Sequence, residues 1–357
     1  MTKKRNLMIL IFLLSLTSIQ FSNFYAINDV KPKVLSSDLN KRVFSSYPLS
    51  VTDGYDRNVT FIQEPQSIIS IAPSATEVIY AVGAGDKVIA TDPYSNYPGE
   101  TASLPKITNF PSLDIEAILT YNPDVVFGAG ITSQDDIGLM EDQGLTVFIL
   151  APFDIDDVLE NIEITGLITN HESESNLLKS SLQERIDSII QNVTSLTFKP
   201  KIYLEASSDP FLYTYGKGTY GHDLIELAGG INIAENATGL YPQINNEFVI
   251  TQNPDLILYS KGPWTTTNIS TISNRTGWNT INAVKNGHIY PINEDWVSRG
   301  GPRIVNALEE IHSKVSLVAS PSDYTSNNLV AIEWHWIIML VSITLVVSFK
   351  RRYVTQR

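Results

Sequence analysis

Two glutamates in matching surroundings are the first candidates for chemistry in this chain of 357 residues. Glu116 precedes Asn122-Pro123-Asp124, and Glu247 precedes Asn253-Pro254-Asp255, so the two segments repeat with a constant spacing. A carboxylate of this kind can orient a protein partner through charge-assisted hydrogen bonds from arginines. The alternative is that each glutamate only stabilises a helix N-terminus, which contributes about 0.3–1 kcal/mol.

Other chemically active residues are sparse. The chain has no cysteine, which excludes disulfides, thiolate metal ligands, a cysteine nucleophile and a lipidated N-terminal cysteine. The net charge of −13 argues against a nucleic-acid partner. The sequence contains no nucleophile elbow and no phosphate loop, and we expect no catalytic residue, metal site or resident cofactor. Histidines occur at His171, His222, His288, His312 and His335, and only His222 is expected near a cleft, as a packing residue or an axial ligand to haem or cobalt.

The elements that carry the two glutamates follow the same order in both halves. A short helix begins near each Glu, ends at Asn-Pro and is followed by a buried apolar strand. Units of this kind indicate parallel sheets covered by helices. The sequence therefore predicts an α/β fold with two Rossmann-like lobes at residues 47–153 and 199–318. Coincidental similarity between two ordinary α/β units remains the alternative.

A long amphipathic segment separates the two halves. Within the linker 154–198, the stretch Glu172–Leu196 contains no Pro or Gly and ends before Lys199-Pro200. Its apolar residues recur at three- and four-residue steps, which is typical of a helix with one buried face: Leu177, Leu178, Leu182, Ile186, Ile189, Ile190 and Val193. We expect a single backbone helix that joins the lobes and leaves a cleft between them.

Local patterns predict several elements within the lobes. Residues 47–64 alternate around Asp53-Gly54 and predict a hairpin, and residues 67–72 and 87–90 predict buried strands. Ser74 and Glu77 have the spacing of a capping box for a helix that ends at Gly83 or Gly85. In the second lobe we expect a strand at residues 201–205 and a helix at 222–228.

Both ends of the chain have the composition of membrane-targeting segments. Residues 1–26 combine a basic start with a short apolar run, which is typical of a signal peptide. After a polar stalk at 319–328, the apolar segment 329–349 precedes a basic tail at 350–357 and predicts a transmembrane anchor with the lobes outside the cell. The anchor and the missing lipidated cysteine are typical of archaeal surface proteins.

Five motifs occur along the chain in the order in which a known family carries them. They are Ser70–Glu77, Tyr94–Pro98, the two Glu…Asn-Pro-Asp units, Leu227–Gly230 and Asp295–Arg303. Together they resemble the substrate-binding proteins of ABC importers for cobalamin, iron-siderophores and haem. The resemblance implies a monomer of two lobes on one backbone helix, a fold shared with chelatase-like and helical-backbone metal receptors. It also implies delivery of the ligand to a permease dimer and its ATPase.

The resemblance also assigns residues to roles. Glu116 and Glu247 match the glutamates that meet permease arginines. Tyr94, Phe110, Tyr241 and Trp296 match aromatic residues of the cleft, and Asp295 and Arg299 match ligand hydrogen-bonding groups, whereas Arg303 is expected to start the last helix. Weaker aromatic candidates are Tyr213, Tyr215, Tyr220 and Trp264. The sequence departs from cobalamin binders at Gly128-Ala129-Gly130, where those proteins have a tryptophan.

The function expected from these motifs is capture of cobalamin for import. A ferric siderophore or haem in the same role is the alternative ligand. Three other classes are less well supported: a direct metal-ion binder, a chelatase-like tetrapyrrole enzyme and an adhesive surface protein. A metal-ion binder would need several His and carboxylate ligands converging from both lobes, and the positions of the histidines do not favour it.

Overall fold

The structure is a computed structural model that describes residues 46–110, 112–207, 211–263 and 265–319. The predicted signal peptide, the transmembrane segment 329–349, the basic tail and nearly all of the stalk lie outside these residues. Among the residues that are described, no helix is both long and apolar enough to cross a membrane.

The first lobe is built on a parallel sheet with the strand order β4-β3-β5-β6. An antiparallel hairpin of β1 and β2 precedes the sheet, as the alternation around Asp53-Gly54 predicts. The strands are β1 (Leu49–Thr52), β2 (Asn58–Phe61), β3 (Ile68–Ser70), β4 (Val88–Thr91), β5 (Val125–Ala129) and β6 (Val147–Leu150). The helices of this lobe are α1 (Pro73–Ala81), α2 (Ile115–Tyr121) and α3 (Gln134–Asp142).

The second lobe contains a larger, mixed sheet in the order β10-β8-β7-β11-β12, with β9 paired to β7. Strands β7, β9, β11 and β12 pair in parallel, whereas β8 and β10 extend one edge in the antiparallel sense. The strands are β7 (Lys201–Ser207), β8 (Leu212–Thr214), β9 (Ile231–Asn232), β10 (Gln243–Ile244), β11 (Leu256–Lys261) and β12 (Ile289–Asn293). The antiparallel edge was not predicted, because β8 and β10 are too short to show a repeating pattern in the sequence.

Eight further α-helices complete the part of the fold that the structure describes. Two of them, α4 (Ile155–Thr169) and α5 (Glu172–Val193), form the linker between the lobes. The others belong to the second lobe and are α6 (Tyr220–Leu227), α7 (Asn246–Gln252), α8 (Ile269–Ser273), α9 (Asn282–Lys285), α10 (Glu294–Ser298) and α11 (Ile304–Ala319).

Helix α5 is the predicted backbone helix, and it is three residues shorter than expected at its C-terminus. Its two ends contact different lobes. At the start of α5, the ring of His171 lies 3.3 Å from where a Cβ on Gly83 of the first lobe would be. At the end of α5, Val193 lies 3.1 Å from where a Cβ on Gly229 of the second lobe would be. Helix α4 packs beside it and contacts α1, so the linker is a pair of helices.

The buried face of α5 is narrower than its apolar pattern indicates. Leu182, Ile186 and Ile189 are buried, but Leu177 and Ile190 face solvent. The buried three belong to an apolar cluster that is continuous between the lobes, because it contains Phe127 of β5 and Leu204 of β7 as well. Each sheet also packs a separate cluster against its opposite face. The two lobes therefore share one hydrophobic core through the linker.

The two Asn-Pro-Asp junctions have matching geometry. Asn122 and Asn253 end their helices in the left-handed conformation, with φ values of 46° and 49°. The aspartate two residues later then accepts backbone hydrogen bonds from the start of a neighbouring strand: Asp124 from the Ser67 N–H at 2.9 Å, and Asp255 from the Lys201 N–H at 3.1 Å. The repeat found in the sequence is thus a repeated structural unit.

The predicted capping box at the start of α1 does not form. Pro73 is the first residue of α1 and Ala72 occupies the N-cap, so no side chain caps this helix. Ser74 therefore already lies inside the helix, and Glu77 is its fifth residue, too far along to reach back to the N-cap. The side chain of Glu77 is buried and binds arginines of the other lobe.

Candidate functional site: a cleft between the lobes

A cavity of about 440 Å³ lies between the two lobes, within the range typical of small-molecule sites. The first lobe contributes the segments that follow β3, β5 and β6, so the cavity lies at the carboxyl ends of the parallel strands, where open α/β sheets usually bind ligands. The second lobe contributes residues 218–220, 240–241 and 298–300.

Small residues form much of the first-lobe wall. Ala129 and Gly130 line the cavity, whereas neighbouring Gly128 packs inward, where an added Cβ would come within 2.7 Å of Ile149 and Thr132. The hydroxyl of Tyr55, from the hairpin loop, donates a hydrogen bond to the Gly130 carbonyl at 2.7 Å and holds this wall in place. The Gly128-Ala129-Gly130 segment therefore places no large side chain on this wall.

Tyrosines form the second-lobe wall. The rings of Tyr215 and Tyr241 are 5.7 Å apart in an edge-to-face arrangement. The Tyr220 hydroxyl donates a hydrogen bond to the Ser298 carbonyl at 2.7 Å, and burial together with Tyr241 and Tyr215 raises the pKa of Tyr220. Its hydroxyl therefore stays protonated at neutral pH and fixes the loop that carries Arg299.

Arg299 and Arg303 connect the two lobes through Glu77. The Arg299 Nη1 atom donates to Glu77 Oε1 at 2.9 Å, and the Arg303 Nε atom donates to Glu77 Oε2 at 2.8 Å. Asp295 accepts from both arginines, at 2.9 Å from Arg299 and 3.4 Å from Arg303. Glu77 is 2 % exposed, so this ion-paired group is desolvated on the side of the first lobe.

The Gly300-Gly301 pair makes this contact possible. An added Cβ at Gly300 would lie 2.4 Å from Pro152 Cγ of the first lobe, and one at Gly301 would lie 3.5 Å from Glu77 Oε2. Larger residues at position 300 would separate the lobes at this point. Arg303 directly precedes α11, as predicted, but its side chain also stacks on Tyr97 of the first lobe, 4.0 Å from the ring centre.

The predicted ligand contacts occupy different places around this cleft. Tyr241 and Arg299 line the cavity. Tyr94 and Phe110 are exposed in loops of the first lobe, at 58 % and 74 % respectively, and Trp296 packs against the apolar core. The weaker candidates Tyr215 and Tyr220 belong to the tyrosine wall, whereas Trp264 lies outside the described residues. Their roles as ligand contacts remain predictions.

A buried polar network holds the loop that contains Tyr94. Asp92 accepts hydrogen bonds from the Tyr94 and Ser95 N–H groups at 2.7 and 3.1 Å. Burial raises the pKa of Asp92 despite these hydrogen bonds and the nearby charge of Lys106. The loop then places the Asn96 amide oxygen 3.0 Å from Arg299 Nη1, so it supports the inter-lobe contact as well.

His222 is a packing residue, which is the first of the two roles expected from the sequence. It is buried in α6, and its Nδ1 atom lies 3.2 Å from the Asn232 amide nitrogen. Among the described residues, no group of three or more His, Asp or Glu side chains is placed to hold a metal ion.

The sequence profile of the periplasmic binding protein family matches residues 68–295. The chain belongs to this family. Recognition from the five sequence motifs is therefore confirmed.

Similar proteins, known from their sequences or from solved structures, agree with this assignment. An uncharacterised ABC transporter substrate-binding lipoprotein of Bacillus subtilis is 29% identical over 75% of this chain and 86% of its own length. A vitamin B12-binding protein of Vibrio parahaemolyticus is 28% identical over 71% of this chain and 91% of its own. The crystal structure of a periplasmic vitamin B12-binding protein of Vibrio cholerae superposes with a TM-score of 0.63 at 26% identity, covering 71% of this chain and 98% of that one.

In this periplasmic binding protein, Glu116 and Glu247 lie in the first turns of α2 and α7 and are exposed. In the first lobe α2 is followed by β5, whose carboxyl end lines the cavity. Their side chains make no contact with the inter-lobe ion pairs. Their role in docking a partner stays a prediction.

Sequence reasoning missed Glu77 and the apolar rim of the cavity. Ile131 and Phe153 line the cavity and are 81 % and 56 % exposed, which is unusual for large apolar side chains. Ile131 follows the carboxyl end of β5, a predicted strand, so its position could have indicated it, whereas β6 before Phe153 was not predicted. The sequence did not indicate the inter-lobe role of Glu77, because the spacing of Ser74 and Glu77 also fits a capping box.

Proposed function

We propose that this chain is the substrate-binding protein of an ABC importer and that it captures cobalamin in the cleft between its lobes. The family assignment and the vitamin B12-binding relatives support this proposal. The observation that carries it is the cavity at the carboxyl ends of the strands, whose walls belong to two lobes fixed on one pair of helices.

The chemistry of the cavity supports a large, largely uncharged ligand. Tyr241, Ile131 and Phe153 offer flat or apolar surface, which favours contact with the face of a macrocycle at low entropic cost. The backbone at exposed Gly130 is accessible for hydrogen bonds to amide side chains of the kind that surround a corrin ring. Shared linker helices permit only small lobe movements, so the walls are largely preformed for binding.

In this proposal Glu116 and Glu247 dock the loaded protein on the permease. Equivalent positions on the two lobes would place one carboxylate on each half of a two-subunit partner. Charge-assisted hydrogen bonds from permease arginines would then set the orientation in which the ligand is released.

The sequence further supports a location outside the cell. We propose that residues 1–26 direct export and that residues 329–349 keep the lobes on the outer surface of the membrane, near the permease. An archaeal source fits this arrangement and stays a prediction.

Spectroscopy of the loaded protein tests the ligand assignment. The full-length chain is incubated separately with cyanocobalamin, haem and a ferric hydroxamate, freed of unbound ligand, and examined by visible absorption. We expect retention of one unchanged cyanocobalamin per chain. Retention of haem or the ferric hydroxamate in its place would reassign the ligand, and conversion to a new product would support a chelatase-like enzyme.

A further inference from the structure

Four charged side chains meet where the lobes touch, beside the cavity. We call them the charge cluster: Glu77 from α1 of the first lobe, and Asp295, Arg299 and Arg303 from the second. Each arginine is within hydrogen-bonding distance of both carboxylates, and Arg303 Nη2 lies 2.6 Å from Glu77 Oε1. Two guanidinium groups thus face two carboxylates, and the formal charge of the cluster is zero.

Among the described residues, the cluster supplies the only formal charge on the cavity wall. Of the described residues that line the cavity, Arg299 alone has a side chain that is charged at neutral pH, and the others are apolar, glycine, hydroxyl-bearing or aromatic. A ligand in the cleft therefore meets one guanidinium whose charge is already balanced by its neighbours. A ligand carboxylate would lose its hydration there without gaining a free cation in return.

We propose that Glu77 determines which ligand charge the cleft accepts: by neutralising Arg299 and Arg303, it makes the cleft selective for ligands without net negative charge and rejects porphyrin dicarboxylates and similar anions. This inference rests on the proposed function, because it takes the inter-lobe cavity as the ligand site. It adds a specificity-determining residue that does not itself line the cavity.

A role in joining the lobes alone has different consequences. If Glu77 only held the lobes together, its loss would weaken the binding of every ligand to a similar degree. If it sets the charge of the cleft, its loss leaves two guanidinium groups against one carboxylate and changes the preference between neutral and anionic ligands.

Glu77→Gln distinguishes these roles, because the side chain keeps its size and loses only its charge. Dissociation constants of the full-length variant and the unaltered chain are measured for cyanocobalamin, which has no net charge, and for haem, which has two carboxylates. We expect haem to bind about tenfold or more tightly in the variant, while cyanocobalamin changes by less than about threefold. An unchanged ratio of the two constants, or equal losses for both ligands, overturns the proposal.

Two further variants guard against a simple folding defect. Combining Glu77→Gln with Arg303→Gln restores a zero net charge and is expected to return the ratio toward its original value, which a purely structural role would not do. If Glu77→Gln does not fold, Asp295→Asn replaces it as the test. This substitution gives the charge cluster the same net charge as Glu77→Gln, and the Asp295 side chain is more exposed, at 30%. No gain in haem affinity there also overturns the proposal.

Glu205→Gln is the matched control. Glu205 is as buried as Glu77 and pairs with Arg275, but neither residue lines the cavity. We expect this variant to lose stability without altering the ratio between the two ligands. A shift in the ratio as large as that of Glu77→Gln would show that charge near the cavity is not the cause, and would contradict the proposal.

The proposal and the proposed function fail in distinguishable ways. If the unaltered chain binds no cyanocobalamin but Glu77→Gln still gains haem affinity, the ligand assignment is wrong and the role of Glu77 stands. If the unaltered chain retains cyanocobalamin and the variant gains no haem affinity, the role of Glu77 is wrong and the ligand assignment stands.

Discussion

Tyr241 presents about half of its side chain to the cleft, with 49 % of its surface exposed. Its ring rests edge-to-face on Tyr215, which is itself buried and donates a hydrogen bond to the Val297 carbonyl at 3.1 Å. A buried support of this kind fixes the exposed ring in one orientation before any ligand arrives, so little side-chain entropy is lost on binding.

We expect Tyr241→Ala to weaken cyanocobalamin binding by about tenfold, because a flat contact surface is lost from the cavity wall. Tyr241→Phe keeps the ring and should change the dissociation constant by less than about threefold. Equilibrium titration followed by absorbance measures both. Phe198→Ala is the control, since Phe198 is similarly exposed but does not line the cavity; an equal loss there would argue against a specific contact.

Residue roles could be predicted from the sequence where the determining contacts are local. The ends of α2 and α7 were predictable, because an Asn in the left-handed conformation and the following Pro stop a helix without help from distant residues. The role of Glu77 was not, because Arg299 lies 222 residues further along the chain. Only the fold brings these side chains together.

One ion pair lies at the edge of the junction between α5 and α11. Arg185 of α5 donates to Glu309 of α11 at 2.7–2.8 Å, and this hydrogen bond lowers the pKa of Glu309, against a smaller opposing effect of burial. A carboxyl group whose pKa is lower in the folded state stabilises the fold above its unfolded pKa. That contribution is lost as the pH falls through the folded pKa.

We therefore expect Glu309→Gln to lower the free energy of unfolding at pH 7 by less than about 1 kcal/mol, since the pair is partly exposed and screened by solvent. The difference from the unaltered chain should shrink as the pH falls below the ordinary pKa of a glutamate and through the lowered pKa of Glu309 in the folded state. Urea titrations at pH 7 and pH 3 measure this, with exposed Glu160→Gln on α4 as the control. A difference that persists at pH 3 would mean that the variant acts through packing.

The segment between α10 and α11 fits against the first lobe only because position 300 lacks a side chain. In Gly300→Ala the added methyl group would overlap Pro152, and overpacking of this kind costs about 1–3 kcal/mol. We expect a lower melting temperature and weaker ligand binding, because the two walls are held further apart. Gly138→Ala in α3 is the control, since an added Cβ there meets no other atom; an equal effect would exclude an inter-lobe cause.

Elements were predictable to the extent that their patterns were long and regular. The apolar spacing of α5 predicted a helix, but it did not show that α4 packs along the helix and covers part of it. Strands β8 and β10, with three and two residues, carry no periodicity that could distinguish them from loops. The α/β class and the parallel arrangement of the first lobe were nevertheless clear from the repeated helix–strand units.

At the scale of the whole molecule, the two halves carry equivalent exposed acidic residues, Glu116 and Glu247. We expect Glu116→Ala combined with Glu247→Ala to reduce ligand transport at least tenfold while ligand affinity changes by less than about twofold, because the exposed carboxylates lie outside the cavity. Uptake by vesicles that contain the cognate permease and ATPase measures transport. Glu160→Ala with Glu184→Ala removes two exposed glutamates from the linker helices and should leave uptake intact; unchanged uptake in the first variant would contradict docking by this pair.

The apolar cluster that passes through α5 has a consequence for how the protein loses its structure on heating. Leu182, Ile186 and Ile189 of α5 pack in one apolar cluster with residues of both lobes. Unfolding either lobe would expose this face of α5, so the remaining lobe would not keep a complete core. We expect scanning calorimetry to record a single cooperative transition in place of one peak for each lobe. Two resolved peaks would show that the halves melt independently.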